Sequence, residues 1–263
     1  MDVSQPNLQV SQLQKWAINE YTGLRRPNER TMISGVVFDM DGLMFDTEAL
    51  AMDAWNDAGK RCGYPLTRSL MLATIGLSEK DTADYLNTAL GSGFDYKTAR
   101  DIAMGSITSH IQEYGVPIKP GLLPLLDHLR ELRLRLAVAS SSPGDHIRTL
   151  LESAHVTPYF QAILSADSVG TCKPAPDIYL AAAEALDLDP RQCLALEDSP
   201  SGIRSAFDAG LLPVMVPDLI PADPNLTPFL YAQCETLSDV IDLIDAHADG
   251  KSPMGIFPHR QGK

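Results

Sequence analysis

Apolar residues along this chain come in short unbroken runs, separated by longer stretches where they recur every three or four positions. The first run, Ile33 to Asp39, is rich in β-branched and aromatic residues. It does not alternate with polar residues, so it predicts a strand buried on both faces, as in a parallel sheet. Similar runs return at LRLAVASSS (134–142), CLALEDS (193–199) and LLPVMVPD (211–218), with a weaker one at QAILSAD (161–167). Between them, GLLPLLDHLREL (121–132), DHIRTLLESA (145–154), DIYLAAAEAL (177–186) and SGIRSAFDAG (201–210) carry helical periodicity. Gly210 stands where a helix C-terminal glycine belongs. Strands alternating with helices predict βαβ units, hence an α/β fold with a doubly wound, Rossmann-like parallel sheet.

Residues 49–116 break this rhythm. ALAMDAWNDAGKRCG, RSLMLATIG, SEKDTADYLNTAL and DYKTARDIAMGSITSHIQEYG all read as helices, and no strand pattern lies between them. The expected arrangement is a small all-helical cap domain, 48–116, inserted after the first strand. The chain re-enters the α/β core (32–47 and 117–250) through the Pro/Gly linker VPIKPG (116–121). Leu50, Met52 and Trp55 read as cap core. Residues 1–31 form an N-terminal extension to which composition assigns no role, and 251–263 read as a loose tail.

Composition narrows the function classes. The formal net charge of −13 argues against a general nucleic-acid binder, which would show a basic face. It leaves room for a small anionic substrate, because a bound cation or a lysine can reverse the field within a cleft. Cys62, Cys172, Cys193 and Cys234 form no CxxC pair and read as reduced thiols, so a cytoplasmic protein is expected. The N-terminal residues lack an apolar core of signal-peptide length, and no apolar stretch approaches the ~20 residues of a membrane span. No nucleic-acid or membrane partner is expected, and a monomer is.

The strand ends carry the chemistry. The first ends in Asp39 and Asp41, the second in Ser140, Ser141 and Ser142, and the fourth in Glu197 and Asp198; Lys173 precedes the DIYLAAAEAL helix. In open α/β sheets ligands bind outside the carboxyl ends of the strands, so these groups are expected to converge. Three clustered carboxylates call for a cation, and hard oxygen donors suit Mg²⁺. An aspartate beside Mg²⁺ can act as a nucleophile on phosphorus, with lysine and serine hydroxyls offsetting phosphoryl charge. The six histidines fall in no motif and read as surface or internally satisfied.

FDMDGLMFDTE (38–48), VASSS (138–142), CKPAPDIY (172–179) and LALEDSPSGIRSAFDAG (194–210), in this order, resemble the haloacid dehalogenase-like (HAD) superfamily. Within it, the chain is similar to the β-phosphoglucomutase-like and phosphatase branch with a helical cap. The resemblance covers about residues 33–245. It implies that Asp39 is the nucleophile and a metal ligand. Asp41 would be the general acid/base, with its carbonyl on the metal. Ser140, Ser141 and Lys173 would bind the phosphoryl group, Asp198 would ligate Mg²⁺, and Glu197 would ligate the metal or support its ligands. Gly42 would allow the tight turn that raises both aspartates. Dehalogenases and phosphonoacetaldehyde hydrolases of the superfamily lack an aspartate at the position of Asp41.

The resemblance also separates two activities. The sugar-phosphate mutases carry a histidine where this chain has Ala51, and a lysine and an arginine around a cap glycine where it has Ile75, Gly76 and Glu79. The expectation is a Mg²⁺-dependent phosphatase acting on a sugar phosphate or nucleotide-like monophosphate through an aspartyl-phosphate. Thr47, Gly76 and Ser78 are the candidate cap contacts to substrate. A β-phosphoglucomutase-type mutase is the alternative, and a non-catalytic phosphoacceptor or regulatory protein is the second. Response-regulator receivers share a phosphorylatable aspartate and a lysine, but are shorter and have no helical insertion.

Overall fold

A computed structural model describes residues 32–74, 79–91, 93–218 and 223–249. The N-terminal extension, the C-terminal tail and the cap positions Ile75, Gly76 and Ser78 lie outside the described residues, as does the side chain of Glu79.

All five expected strands form. They are β1 (Gly35–Phe38), β2 (Arg135–Ser140), β3 (Ala162–Ser165), β4 (Cys193–Glu197) and β5 (Leu212–Met215). A two-residue strand absent from the hydrophobic pattern, β6 (Ala232–Gln233), completes a sheet of order β3-β2-β1-β4-β5-β6. Every pairing is parallel. Among the described residues, four helices follow β1: α1 (Thr47–Cys62), α2 (Arg68–Leu72), α3 (Glu79–Leu90) and α4 (Tyr96–Tyr114). The rest of the chain adds α5 (Leu122–Glu131), α6 (Gly144–Ser153), the single turn α7 (Ala166–Val169), α8 (Asp177–Ala185), α9 (Pro200–Asp208) and α10 (Leu237–Ala248). Among the described residues no helix is long and apolar enough to cross a membrane.

The unalternating strands are explained by burial on both sides. Val36, Phe38, Leu136, Val138, Leu194 and Leu196 face α5, α6 and α10 in one apolar cluster. Val37, Ala137, Ala139, Cys193 and Ala195 face α8 and α9 in another. The second face is built largely from alanines, whose small side chains let its helices lie close to the sheet. The helical insertion has its own cluster of Leu66, Met71, Leu86, Phe94 and Ala99, with Met52 and Trp55 packed against it. Trp55 stacks on Tyr96 at 5.8 Å. However, Ala54 and Ala58 of α1 and Ala103, Ile107 and Ile111 of α4 are continuous with the first cluster of the sheet, and Leu50 packs there too. From Ile33 the described chain accordingly forms one unit.

Two chain crossings link the insertion to the sheet, and they pair with each other. Asp46 N donates to Pro117 O (2.9 Å), and Lys119 N donates to Met44 O (2.9 Å). Gly210 has φ +83°, as its helix-terminating position requires.

Candidate active site

The C-terminal ends of β1, β2 and β4 lie side by side, because β1 pairs in register with both neighbours. Beyond β1 the chain turns tightly. Met44 N and Phe45 N both donate to Met40 O, and Gly42 N donates to Phe45 O. Gly42 sits at φ +83°, a region a side chain enters only at a cost. A Cβ there would also lie 2.3 Å from Asp198 Oδ2. Glycine thus serves both the turn and the close approach of β4's acid.

Lys173 knots the site together. Its side chain is 5% exposed. Its Nζ donates to Asp39 Oδ1 (2.5 Å), Glu197 Oε1 (2.6 Å) and Ala139 O (2.9 Å), and lies 3.3 Å from the Tyr179 hydroxyl. Tyr179 Oη in turn donates to Glu197 Oε1 (2.6 Å). Ser199 donates to Glu197 Oε2 through its amide (3.2 Å) and its hydroxyl (2.9 Å). Both oxygens of the fully buried Glu197 are therefore occupied.

Asp41 is clamped from two directions. Thr47 Oγ1, on the first residue of α1, donates to Oδ1 (2.9 Å), and Ser142 Oγ donates to Oδ2 (2.7 Å). Thr47, a candidate contact to substrate, here donates to Asp41. Ser140 is buried at the end of β2 and accepts from Ser142 N (3.1 Å); Ser141 is exposed. The histidines among the described residues stand apart: His128 meets Asp245 and His247 meets Tyr231, each at 2.9 Å.

The electrostatics suit a bound cation. Asp39, Glu197 and Asp198 each place an oxygen within 4.8 Å of the others. Burial, with help from Glu197 and Asp41, pushes Asp39 up to about 7 against the pull of Lys173. Burial, Asp39, Glu197 and Glu48 push Asp198 up to about 9. Burial by itself would lower Lys173; Asp39 and Glu197 outweigh it and hold the ammonium above its ordinary value. One lysine does not balance this many buried acids. Because Glu197 is saturated by hydrogen bonds, Asp39 and Asp198 are the carboxylates left to meet a divalent ion. Two carboxylates with room for water and phosphate is the donor set that Mg²⁺ favours.

The strand-end reading gave several residues here no role. Tyr179 and Ser142 lie inside the quoted motifs, but their contacts depend on tertiary placement. Glu48 and Asp218 join Asp198 in a second cluster of acidic oxygens within 4.8 Å of one another. Burial, then Asp218 and Asp41, push Glu48 up to about 7. Asp218 follows β5, so the rule that chose the other strand ends would have found it. Lys119, on the linker back to the sheet, pairs with Asp218 and lies 3.5 Å from Asp46.

Comparison with known proteins agrees with this arrangement. Residues 36–216 match the family of haloacid dehalogenase-like hydrolases. The chain is 30% identical over 182 residues to a Thermotoga maritima protein named phosphorylated carbohydrates phosphatase, covering 68% of this chain and 82% of that one. It is 32% identical over 209 residues to the plasmid-borne protein CbbY of Cupriavidus necator, covering 73% and 82%. A crystal structure from Thermotoga maritima, proposed to be a β-phosphoglucomutase, superposes with a TM-score of 0.70 at 26% identity, covering 81% of this chain and 98% of that one. Sequence match and shared architecture lead to one conclusion: this chain belongs to the haloacid dehalogenase-like hydrolases.

Proposed function

We propose that the protein is a Mg²⁺-dependent phosphatase that hydrolyses a small phosphorylated metabolite, with phosphorylated carbohydrates the foremost class. The observation that carries this is the division of labour between two neighbouring aspartates. Asp39 has one oxygen fixed by Lys173. Its other oxygen has no hydrogen-bond partner among the described residues and is the candidate to attack phosphorus. Asp41, held by two hydroxyls, is oriented for proton transfer.

Asp39 Oδ2 attacks the phosphorus, forming an aspartyl-phosphate, while Asp41 gives its proton to the departing alcohol. Asp41 then takes a proton from water as that water attacks the aspartyl-phosphate, restoring Asp39 and releasing phosphate. Acid–base help of this kind contributes ~10²–10⁴ in rate. Lys173 and Ser140 offset charge on the transferring group, and Glu197 holds Lys173 in place. Asp39, Asp198 and the Asp41 carbonyl would hold Mg²⁺, which when bound would offset charge on the phosphoryl oxygens. Hydrolysis is favoured over mutase activity because Ala51, packed against the apolar cluster, offers no polar group to a second phosphate or leaving hydroxyl. The name of the Thermotoga maritima sequence relative, a phosphorylated carbohydrates phosphatase, supports hydrolysis, while that of the structural neighbour names the mutase.

The test is phosphate release from a panel of phosphorylated sugars and nucleotides, with and without Mg²⁺, beside Asp39→Asn. The expected result is Mg²⁺-dependent release, greatest on sugar phosphates and absent from the variant. Conversion of β-glucose 1-phosphate to glucose 6-phosphate without net release would replace this reading with the mutase.

A further inference from the structure

The motifs give Asp218 no role, yet it reaches the edge of the acidic site. Its side chain is 12% exposed. Oδ1 is held by the Lys119 ammonium. Oδ2 is buried and has no hydrogen-bond partner among the described residues. That oxygen lies 3.4 Å from where a Cβ on Gly42 would stand, and Asp198 Oδ2 lies 2.3 Å from the same point. Both carboxylates thus crowd over the turn that carries Asp39 and Asp41. A buried carboxylate oxygen without a donor is costly, and native proteins generally satisfy such a group with water or an ion.

Resting on the reading that Asp39 and Asp198 hold Mg²⁺, we propose that Asp218 is a positioning residue that accepts a hydrogen bond from a water of the Mg²⁺ shell. Mg²⁺ keeps several waters and takes only one or two protein carboxylates, so a third nearby acid meets it through water. Lys119 fixes the orientation. It occupies Oδ1, turns Oδ2 toward Asp198, and ties Asp218 to both crossings into the helical insertion through Asp46 and Met44.

The bland alternative is that Lys119 and Asp218 merely staple the linker to the sheet. The two readings differ in sign. Mg²⁺ is titrated by calorimetry into the wild-type chain, Asp218→Asn, Lys119→Met and Asp198→Asn, with near-ultraviolet circular dichroism to check folding. Asp218→Asn is expected to weaken Mg²⁺ binding about 10-fold or more, as loss of an outer partner does. Lys119→Met removes a cation from an acidic cluster, which favours Mg²⁺ by more than the looser hold on Asp218 costs, so binding stays the same or tightens. Unchanged Mg²⁺ affinity in Asp218→Asn, or equal weakening in both variants, would overturn the assignment. Mg²⁺ binding by the wild type that is lost in Asp198→Asn keeps the metal reading separate; its absence from the wild type would end both.

Discussion

Gly202→Ala tests the geometry of the site from a position that touches no substrate. Gly202 lies in the first turn of α9, against the carboxylate of Glu197. A Cβ there would stand 1.8 Å from Oε1 and 2.1 Å from Oε2. Ordinary contact is roughly 3.5 Å, so the carboxylate must retreat by about 1.5 Å. Glu197 has no exposed surface to retreat into. A 2.6 Å bond to Lys173 or Tyr179 stretched by that distance is no longer a hydrogen bond. Overpacking of this kind costs ~1–3 kcal/mol. Losing a bond to a charged group adds ~1.5–3 kcal/mol. Alanine recovers ~0.5–1 kcal/mol of helix propensity. A net loss of ~3 kcal/mol lowers Tm by about 6–12 °C in a chain of this size. Lys173 shifts with its partner, and a displacement near 1 Å costs about 100-fold in kcat. Gly105→Ala is the internal control. It lies in α4, and among the described residues its would-be Cβ meets nothing within 4 Å beyond its own helix backbone and chain neighbours, so the same substitution should raise stability by ~0.5–1 kcal/mol. Thermal melts and kcat at saturating Mg²⁺ read both. Gly202→Ala melting within about 2 °C of wild type with near-normal kcat would refute the reasoning.

Asp41 offers a second test. Thr47→Val and Ser142→Ala each delete one of its two hydroxyl donors. Each should lower kcat by about 10-fold or more, the scale of a hydrogen bond to a charged group. The double variant should fall short of the product, because either loss frees the same carboxylate; strictly multiplicative losses would show the clamp to be two independent contacts. A third test concerns pH. Asp39 and Asp198 sit near 7 and 9 in the metal-free fold, above their unfolded range. The folded chain therefore binds more protons than the unfolded one over roughly pH 4–9, and stability falls as pH rises through that window. Melts in EDTA should show Tm declining across it, with Mg²⁺ restoring progressively more at the alkaline end; a flat profile in EDTA contradicts the burial argument.

Much of the architecture was legible because local rules decide it. A short apolar run without alternation signals a strand covered on both sides, and five such runs became β1 to β5. Helix α10 and strand β6 went unnoticed: β6 is two residues long and exists by virtue of β5 beside it. The catalytic candidates were legible through a topological rule, that parallel strands present their carboxyl ends together. That rule located Asp39, Ser140, Glu197 and Asp198 without any distance being known.

What each residue does there was another matter. Thr47 belonged by sequence to the start of the insertion as a candidate substrate contact, and its hydrogen bond to Asp41 appears only in the folded chain. Glu197, which by sequence could ligate a metal or support its ligands, accepts four hydrogen bonds that occupy both its oxygens. Gly202 looked like an ordinary helix residue until Glu197 was placed against it. Sequence by itself determined which residues are strand, helix or turn and which chemistry lies at the strand ends, because those follow from side-chain periodicity and type within a few positions. Only the tertiary structure decided the partnerships: Lys173 meets Asp39 across 134 positions, Ser142 meets Asp41 across 101, and Lys119 meets Asp218 across 99. Hydrogen bonds form only within a few ångströms, and such proximity between distant segments is set by strand register and packing, which no local pattern specifies.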